Sequence, residues 1–352
     1  MNTLKVVKHS VKSNRHHKLN QYREELDLYD HFIALDWSIK TMAVARLTKK
    51  SASPKVIESP SDVVVLQEYL KNLNGKKIMT IEETTSTHWL YVELYDYVDR
   101  IVICDPFKNR LLTDGPKNDK IDASKLCELL KGGFVREVYH TTERSYRYRK
   151  LERSYNQVVK AGVRLYNQKS SVYRSHGKSY KDGESIDDPT ASFILEHINE
   201  DIEQYKEKKK MYEEIFEQEC KTNKVLKNLC QLPGFGPILA FRVYSIVVDA
   251  RRFPHAGKYL AYCGLVKHTK ESGSVYYGKR KARYNRMLKD AYKTAAIVAT
   301  QRHNPMREYY DYLLENGVAE HNARQAVTRY LARVSLGMMK NETPYEPYRW
   351  RH

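Results

Sequence analysis

The sequence predicts a mixed α/β domain, then a long helical arm, then a mostly α-helical C-terminal domain. In the first part, short apolar runs of strand length alternate with segments of helical spacing. Residues 141–222 are highly charged and almost free of Gly and Pro, which is typical of long exposed helices. From residue 223 onward, apolar residues recur at helical spacing. We therefore predict domains at residues 31–140, 141–222 and 223–352, preceded by a basic arm at residues 1–30.

The first domain is expected to hold a mixed sheet flanked by helices, because strands come first and strand–helix alternation follows. Two neighbouring strands at its start are close enough in the sequence to form a hairpin. The predicted strands are Phe32–Trp37, Met42–Leu47, Lys55–Glu58, Lys77–Glu82 and Ile101–Cys104. The predicted helices are Pro60–Leu73, Thr87–Val98 and a helix that continues through Ala123–Leu130.

The charged arm is predicted to be a helical hairpin or coiled coil. A segment rich in loop-forming residues, Ser175–Pro189, separates two long helical segments. Partial apolar stripes run along both segments, so the arm serves either as a spacer or as a dimerisation element. In the third region, the predicted helices are Ile238–Val248, Leu288–Thr300, Met306–Glu315 and Ala319–Met338.

Composition points to a polyanionic partner. The 352 residues include 61 Lys and Arg against 43 Asp and Glu, a net charge of +18, and 28 Tyr whose rings suit stacking on bases. The alternative is a solvated basic surface. The 5 Cys are scattered, which favours a reducing compartment over a zinc site or a disulfide framework. The sequence has no apolar stretch of membrane-span length and no signal-peptide core, so we expect a cytoplasmic protein without a membrane partner.

Four acidic residues occupy positions that suit metal-dependent phosphoryl transfer. Asp36 and Glu82 each follow an apolar run that is typical of a buried strand. Asp119 and Asp122 are three residues apart where a helix begins, so both can point from one helix face. Gathered carboxylates repel one another unless divalent cations neutralise them, and oxygen ligands suit Mg²⁺ or Mn²⁺. Glu83 is the alternative to Glu82, because side chains alternate across a strand and only one of the two can face the ions.

An acid on the first strand, an acid on a later strand and two on a following helix form the active-site layout of the ribonuclease-H-like fold, as in RuvC-type junction resolvases. There, two divalent ions hold the attacking and leaving oxygens of an in-line phosphate displacement. Further sequence blocks follow in a recognisable order. They are Ala34-Leu35-Asp36, Ile81-Glu82-Glu83-Thr84, Lys117-Asn118-Asp119-Lys120-Ile121-Asp122-Ala123, Leu232-Pro233-Gly234-Phe235-Gly236-Pro237, Arg252-Phe253-Pro254, Tyr262-Cys263-Gly264-Leu265 and Ser272-Gly273.

With these blocks, the chain resembles the DEDD-type transposases of bacterial insertion sequences, a family of bridge-RNA-guided serine recombinases. The resemblance covers about residues 30–340. Thr85 stands where the family usually has Gly, and Lys267 stands where it has Pro. Neither departure removes a reacting group, although the second changes the loop that precedes Ser272.

The resemblance implies a RuvC-like first domain in which Asp36, Glu82, Asp119 and Asp122 hold Mg²⁺. It also implies a C-terminal transposase domain in which Ser272 is the covalent nucleophile. A Ser hydroxyl needs a base or a metal ion to attack at neutral pH. From the sequence alone, Ser274 competes with Ser272. The family further implies composite sites, completed between subunits of a tetramer.

The sequence also offers candidate contacts to nucleic-acid backbones. The Gly-x-Gly turn is similar to helix–hairpin–helix turns, whose N–H groups meet phosphates, and a tight turn before a buried helix is the alternative. A basic run follows the Ser272 turn, for which the alternative is a solvated basic loop. The candidates are Lys117, Lys120, Gly234, Gly236, Lys279, Arg280, Lys281, Arg283 and Arg286.

We therefore expect an insertion-sequence transposase that exchanges DNA strands through a phosphoserine intermediate. By resemblance, its partners are the element ends and target DNA, a structured noncoding guide RNA, and further copies of itself as a dimer or tetramer at the bacterial nucleoid. One alternative is a RuvC-like junction-resolving nuclease or a site-specific DNA invertase. Another is a non-catalytic nucleic-acid-binding scaffold, which a metal titration dependent on Asp36 would distinguish.

Overall fold

The computed structural model describes residues 24–106, 118–141, 144–272, 275–280 and 282–351. The chain divides into two compact units, residues 1–142 and residues 143–352. The predicted helical arm and the predicted C-terminal domain both belong to the second unit.

The first unit is built on a mixed sheet. Strands β1 (His31–Trp37), β2 (Thr41–Thr48) and β3 (Lys55–Pro60) are antiparallel neighbours. Strands β4 (Lys77–Glu82) and β5 (Arg100–Cys104) extend the sheet in parallel on the other side of β1. The order across this 5-stranded sheet is β3-β2-β1-β4-β5. All the predicted strands are present, and the mixed α/β class of this domain is confirmed.

Helices cover both faces of the sheet. Helix α3 (Asp119–Lys131) packs on one face through Ala123, Cys127 and Leu130. Helices α1 (Val63–Lys71) and α2 (Thr87–Leu94) pack on the opposite face, where they bury apolar side chains of β1 and β4. The sheet is therefore the middle layer of three, and each of its faces belongs to a separate hydrophobic core.

Two predicted helices of this unit were too long. The segment Pro60–Leu73 was predicted as one helix, but Pro60 ends β3 and the Asp62 side chain caps α1 by accepting the N–H of Val64 at 2.8 Å. The segment Thr87–Val98 was predicted to be helical throughout, but its α-helix ends at Leu94 and a 3₁₀ turn follows.

In the second unit, the arm is a pair of long helices, α4 (Arg144–Ser175) and α5 (Pro189–Thr222). The predicted break between them is confirmed, and Asp188 caps the start of α5 by accepting the N–H of Ala191 at 2.9 Å. The base of the arm packs on helix α7 (Pro237–Val247), where the rings of Phe216 and Phe241 stack at 4.1 Å. A buried ion pair joins α4 to α7, with Arg242 Nε donating to Glu152 Oε1 at 2.6 Å.

The rest of the second unit is mostly helical, as predicted. Its helices are α6 (Lys224–Leu229), α8 (Ala256–Tyr262), α9 (Arg286–Gln301), α10 (Pro305–Glu315) and α11 (Glu320–Asn341). They enclose an apolar core that contains a chain of buried hydroxyls. The hydroxyl of Tyr292 lies 2.5 Å from that of Tyr259 and 2.6 Å from that of Ser335. None of the helices in the described part of the chain is long and apolar enough to cross a membrane.

The second unit also contains a two-stranded ribbon that the sequence did not predict. Strand β6 (His268–Ser272) pairs antiparallel with β7 (Val275–Arg280). The signal for a half-buried strand is an alternation of apolar and polar residues, and the described side chains of β7 are exposed or half-exposed on both faces. A strand without a buried face does not show that alternation, so its sequence was interpreted as a turn and a basic run.

Candidate active site

Asp36 and Glu82 lie side by side at the carboxyl ends of two parallel strands. Leu35 of β1 is paired with Ile81 of β4, so the next residue on each strand is one of the two acids. Cross-strand partners lie on the same face of a sheet. The partner of Asp36 is Ala43 and the partner of Glu82 is Cys104, and both of these belong to the core beneath α3. The two acids therefore continue the rows of side chains that face α3.

Helix α3 begins with the other two acids. The Asn118 side chain caps the helix by accepting the N–H of Lys120 at 2.9 Å, so Asp119 and Asp122 fall in the first turn. There the carboxylates are favoured by the partial positive charge of the helix N-terminus.

The helix that carries these acids is fixed along its length. Ala123 and Cys127 are fully buried against the sheet, and the thiol of Cys127 donates to the carbonyl of Phe32 at 3.2 Å. At the other end, Lys131 Nζ donates to the carbonyls of Thr48 and Ser51, each at 3.0 Å. The fold thus determines where the first turn of α3 stands relative to β1.

The four predicted acids interact electrostatically. The pKa of Asp36 is raised from 3.8 to about 6, first by burial and then by the negative charges of Asp119, Glu82 and Asp122, in that order. The backbone N–H of Trp37 donates to the Asp36 carboxylate and opposes the shift. The structure therefore brings together the set of side chains that the sequence selected, and Asp36 is the member that senses the other three.

The donor set suits a hard divalent cation, because it consists of carboxylate oxygens alone. In the described part of the chain, however, no three His, Cys, Asp or Glu side chains converge closely enough to hold a metal ion as they stand. The raised pKa of Asp36 is compatible with this absence, because charges interact over longer distances than the roughly 2–2.6 Å of a metal–oxygen bond. The acids form an open cluster, in which no three side chains converge on one point.

Two other acids also come at the ends of strands, but their side chains belong to the face of the sheet opposite α3. Glu83 comes one residue after Glu82, with its backbone N–H bonded to the carbonyl of Cys104 at 3.0 Å. Asp105, which was not predicted as a site residue, follows Cys104 and is buried. Side chains alternate between the two faces of the sheet along a strand. Glu82 and Cys104 face α3, so the next residues, Glu83 and Asp105, point away from α3. Strand alternation thus favours Glu82 over Glu83 as the member of the cluster.

The predicted nucleophile lies at the tip of the ribbon. Ser272 ends β6, and its backbone is paired with that of Val275. The side chain of Ser272 and the whole of Ser274 lie outside the described residues, as do Lys117 and Lys281. Lys279 and Arg280 are exposed on β7, and Arg283 and Arg286 are exposed at the start of α9. Lys120 is also exposed, with its Nζ 2.7 Å from Glu58 Oε2. The nucleic-acid contacts of these residues stay predictions.

The Gly-x-Gly turn has a packing role. Gly234 has φ of +79°, and a Cβ there would lie 2.0 Å from the carbonyl oxygen of Ala295 on α9. Gly236 precedes α7 at its N-cap position, and a Cβ there would meet open space. The close approach of two backbones therefore accounts for Gly234, whereas packing does not require glycine at position 236.

Comparison with known proteins associates part of the second unit with DNA transposition. Residues 226–311 match the family model described as the transposase IS116/IS110/IS902 family. The matched segment includes the ribbon, Ser272 and the basic residues that follow, and it ends within α10. The four acids of the first unit lie outside it.

Two relatives are proteins of bacterial insertion elements. The 44.8 kDa protein of insertion element IS116 from Streptomyces clavuligerus is 29% identical over 119 residues, which are 33% of this chain and 29% of that protein. The 42 kDa protein of insertion element IS900 from Mycobacterium paratuberculosis is 26% identical over 135 residues, which are 38% of this chain and 34% of that protein. The similarity thus spans about a third of the length of each relative.

Proposed function

We propose that this protein is an insertion-sequence transposase that exchanges DNA strands with the acidic cluster of its first unit and Ser272 of its second. The acidic cluster is the observation that carries this proposal. Carboxylates from three distant stretches of the sequence interact at the end of a sheet. Such repulsion is retained where it serves a cation or a reaction. The match of residues 226–311 to a transposase family supports the same conclusion for the second unit.

The topology of the first unit supports a ribonuclease-H-like, RuvC-like domain. Its sheet order is β3-β2-β1-β4-β5, with an antiparallel half and a parallel half. The acids fall on the central strand, on the adjacent parallel strand and on the helix that covers both. This is the order in which a ribonuclease-H-like site supplies its ligands, so the fold and the acids are consistent with one another.

In this proposal the carboxylates orient the reacting phosphate. Asp36 and Glu82 are fixed by β1 and β4, and Asp119 and Asp122 by the first turn of α3. Together they would hold Mg²⁺ or Mn²⁺, which when bound would neutralise charge on the phosphate oxygens and favour ionisation of an attacking hydroxyl.

Ser272 supplies the nucleophile in this proposal. Its Oγ attacks the DNA phosphorus, an Oγ–P bond forms, and the P–O bond to one DNA sugar breaks. The hydroxyl proton leaves to a base or to water, and the departing sugar oxygen takes up a proton. The number of phosphodiester bonds is unchanged, so the phosphoserine link can be resealed to a new DNA end without ATP.

We infer the partners from the resemblance and from the surface. The net charge of +18 suits DNA and a structured noncoding guide RNA. On the arm, Val163 of α4 and Phe193, Met211 and Ile215 of α5 are exposed apolar side chains. Exposed apolar residues along a helical pair favour association with a second copy, so we expect a homo-oligomer.

The proposal is tested by incubating the protein with DNA of the element's ends, the element's own transcript and Mg²⁺, followed by denaturing gel electrophoresis. The wild type should form a covalent protein–DNA adduct. Ser272→Ala and Glu82→Gln should form none, while the neighbouring changes Ser274→Ala and Glu83→Gln serve as matched controls and should retain it. An adduct formed by Ser272→Ala would refute the assignment of the nucleophile.

A junction-resolving nuclease is the second candidate, because its acids would have the same arrangement. A nuclease uses water as the nucleophile, so it would cut DNA in the same assay without a protein adduct. A scaffold without catalytic function would do neither, and calorimetry would detect no Mg²⁺ binding that Asp36→Asn removes.

A further inference from the structure

The first helix of the arm, α4, exposes charge of one sign along its length. From Tyr146 to the end of the helix, no exposed side chain is acidic or aromatic. The one acid of α4, Glu152, is buried and paired with Arg242 of α7 at 2.6 Å. The exposed cations of this stretch are Arg147, Lys150, Arg153, Lys160, Arg164 and Arg174.

Six exposed residues of α4 form a row on one side of the helix. Each follows the previous one by three or four residues, a spacing that places side chains on the same helix face. At 1.5 Å per residue, the row is about 27 Å long. We call this row the basic face, and its members are Lys150, Arg153, Gln157, Lys160, Arg164 and Gln168.

The cations of the basic face have no counter-charge of their own. No Asp or Glu of the described residues forms an ion pair with any of them. On α5, by contrast, Lys206 lies 2.7 Å from Glu203 and Lys210 lies 3.8 Å from Glu214. Like charges three or four residues apart on a helix repel one another, so an anionic partner would stabilise this face.

The buried side of α4 is firmly held. Tyr155 donates to Glu213 of α5 at 2.7 Å, and its ring packs edge to face on Phe216 at 5.1 Å. Further along, Gly162 allows a close approach to α5, since a Cβ there would lie 2.3 Å from the ring of Tyr205. The basic face therefore stands on a fixed helix, and little ordering is needed when it meets a partner.

The composition of the basic face favours double-stranded RNA over other polyanions. Gln157 and Gln168 alternate with the cations, and amide groups both donate and accept hydrogen bonds, as the 2′-hydroxyl of RNA does. In an A-form duplex, 2′-hydroxyls and phosphates lie together along a wide, shallow minor groove. A face without aromatic rings is not suited to stacking on single-stranded bases.

We propose that the basic face of α4 binds double-stranded RNA along its minor groove, with Lys and Arg on the phosphates and Gln157 and Gln168 on the 2′-hydroxyls. The arm then holds RNA by its shape and does not read its sequence. The inference rests on the proposed function for the source of the RNA, which is the element's own transcript. The contact itself requires neither Ser272 nor the acidic cluster.

The test measures binding of the full-length protein to a fluorescein-labelled RNA duplex of arbitrary sequence, by fluorescence anisotropy in EDTA over a range of KCl concentrations. In the α4 variant, Lys150, Arg153, Lys160 and Arg164 are all replaced by Gln. The slope of log Kd against log salt should decrease by about 3–4, because each lost phosphate contact removes about 0.9. At about 100 mM KCl, Kd should rise at least tenfold.

A variant of α5 is the matched control. Lys206, Lys208, Lys210 and Lys221 are exposed on that helix, and replacing all four by Gln changes the net charge by the same amount. The control should keep the salt slope within about 1 of the wild type. Both variants should have the wild-type mass in analytical ultracentrifugation and the wild-type melting behaviour, because all the changes are at exposed positions.

Replacing Gln157 and Gln168 together by Ala tests the choice of RNA. This variant should bind the RNA duplex about three- to tenfold more weakly than the wild type, as expected for lost hydrogen bonds. Its binding to a DNA duplex of the same sequence should be unchanged, because DNA has no 2′-hydroxyl. The loss in the α4 variant should likewise be larger for the RNA duplex than for the DNA duplex.

An unchanged salt slope in the α4 variant, or an equal decrease in the α5 control, would overturn the proposal. So would equal losses on the RNA and DNA duplexes, which would assign the face to DNA. An altered mass of the α4 variant alone would assign the face to contact with another copy of the chain, and would overturn the proposal as well. If the wild type forms no covalent adduct with DNA, the proposed function fails, and the anisotropy comparison still decides the role of the basic face.

Discussion

Replacing Asp36 with Asn is expected to stabilise the first unit in metal-free solution and to abolish strand exchange. The carboxylate of Asp36 is half-buried among three other acids that all oppose its ionisation. A neutral side chain of the same size removes that repulsion and also removes a ligand. Stability and function are therefore expected to change in opposite directions at this position.

The size of the gain follows from the pKa. The pKa of Asp36 rises from 3.8 to about 6, and each pKa unit corresponds to about 1.4 kcal/mol. At neutral pH the ionised group thus lowers the free energy of unfolding by up to about 3 kcal/mol. Partial exposure reduces the gain, and so does the weaker hydrogen bond from the Trp37 N–H to a neutral amide oxygen. We therefore expect about 1–3 kcal/mol for Asp36→Asn. For a unit of this size, that raises the melting temperature by several degrees.

Tryptophan fluorescence can follow the first unit alone. Trp37 and Trp89 belong to this unit and pack edge to face at 5.6 Å, whereas Trp350 belongs to the second unit. In a Trp350→Phe background with EDTA, urea unfolding of Asp36→Asn should require more denaturant than unfolding of the parent. The exposed Asp96 provides the matched control, since Asp96→Asn removes one charge outside the cluster.

The difference should depend on pH with a definite sign. The pKa of Asp36 is higher in the folded protein, so the folded state binds the proton more tightly and wild-type stability falls as pH rises from about 4 to about 6. The advantage of Asp36→Asn should therefore be absent near pH 4 and complete above pH 6. Mg²⁺ should then stabilise the wild type but not the variant. If Asp36→Asn is no more stable than the parent at pH 7 in EDTA, the electrostatic reasoning is wrong.

Two further predictions concern the second unit. Tyr292→Phe should lower its free energy of unfolding by about 1–3 kcal/mol in urea titrations, because the buried hydroxyls of Tyr259 and Ser335 lose their shared partner. A loss no greater than that of Tyr312→Phe at the surface would contradict this account. Gly264→Ala should both destabilise the unit and weaken DNA binding, because a Cβ collides with the ring of Tyr284, which follows the ribbon and its basic residues in the sequence. Gly278→Ala has a similarly positive φ of +84° but open space, so thermal melting and DNA-binding titrations of the two variants separate collision from backbone strain.

The elements that the sequence predicted well are those with a buried face. Strands β1 and β4 are central in the sheet and covered on both sides, so they appear as continuous apolar runs. Loop-forming residues between the two long helices of the arm marked where each helix ends or begins. Asp188 caps the second helix and Pro189 is its first residue, which is the pattern that predicts a helix start. In both cases, the local sequence pattern agrees with the environment that the segment has in the folded protein.

The ribbon and the choice among acids depended on information that the sequence does not carry. Tyr276 and its neighbours have no buried face, so no periodicity reveals their strand. Asp36 and Asp105 each follow an apolar run that proves to be a strand, and the sequence signal is the same for both. Only the pairing of strands shows that Asp36 lies on the face of the sheet covered by α3. Asp105 comes one residue after Cys104 of that face, so its side chain points to the other face.

Small side chains lie between α3 and the sheet close to the acids in the sequence. Ala34 and Ala43 on the sheet and Ala123 on α3 are fully buried in the same core. Side chains of this size let a helix approach a sheet more closely than Leu or Ile would. Ala43 is the cross-strand partner of Asp36, and Ala123 directly follows Asp122 on α3. The alanines that appear unremarkable in the sequence therefore set the separation between Asp36 and the first turn of α3, and with it the strength of the repulsion that a divalent cation would relieve.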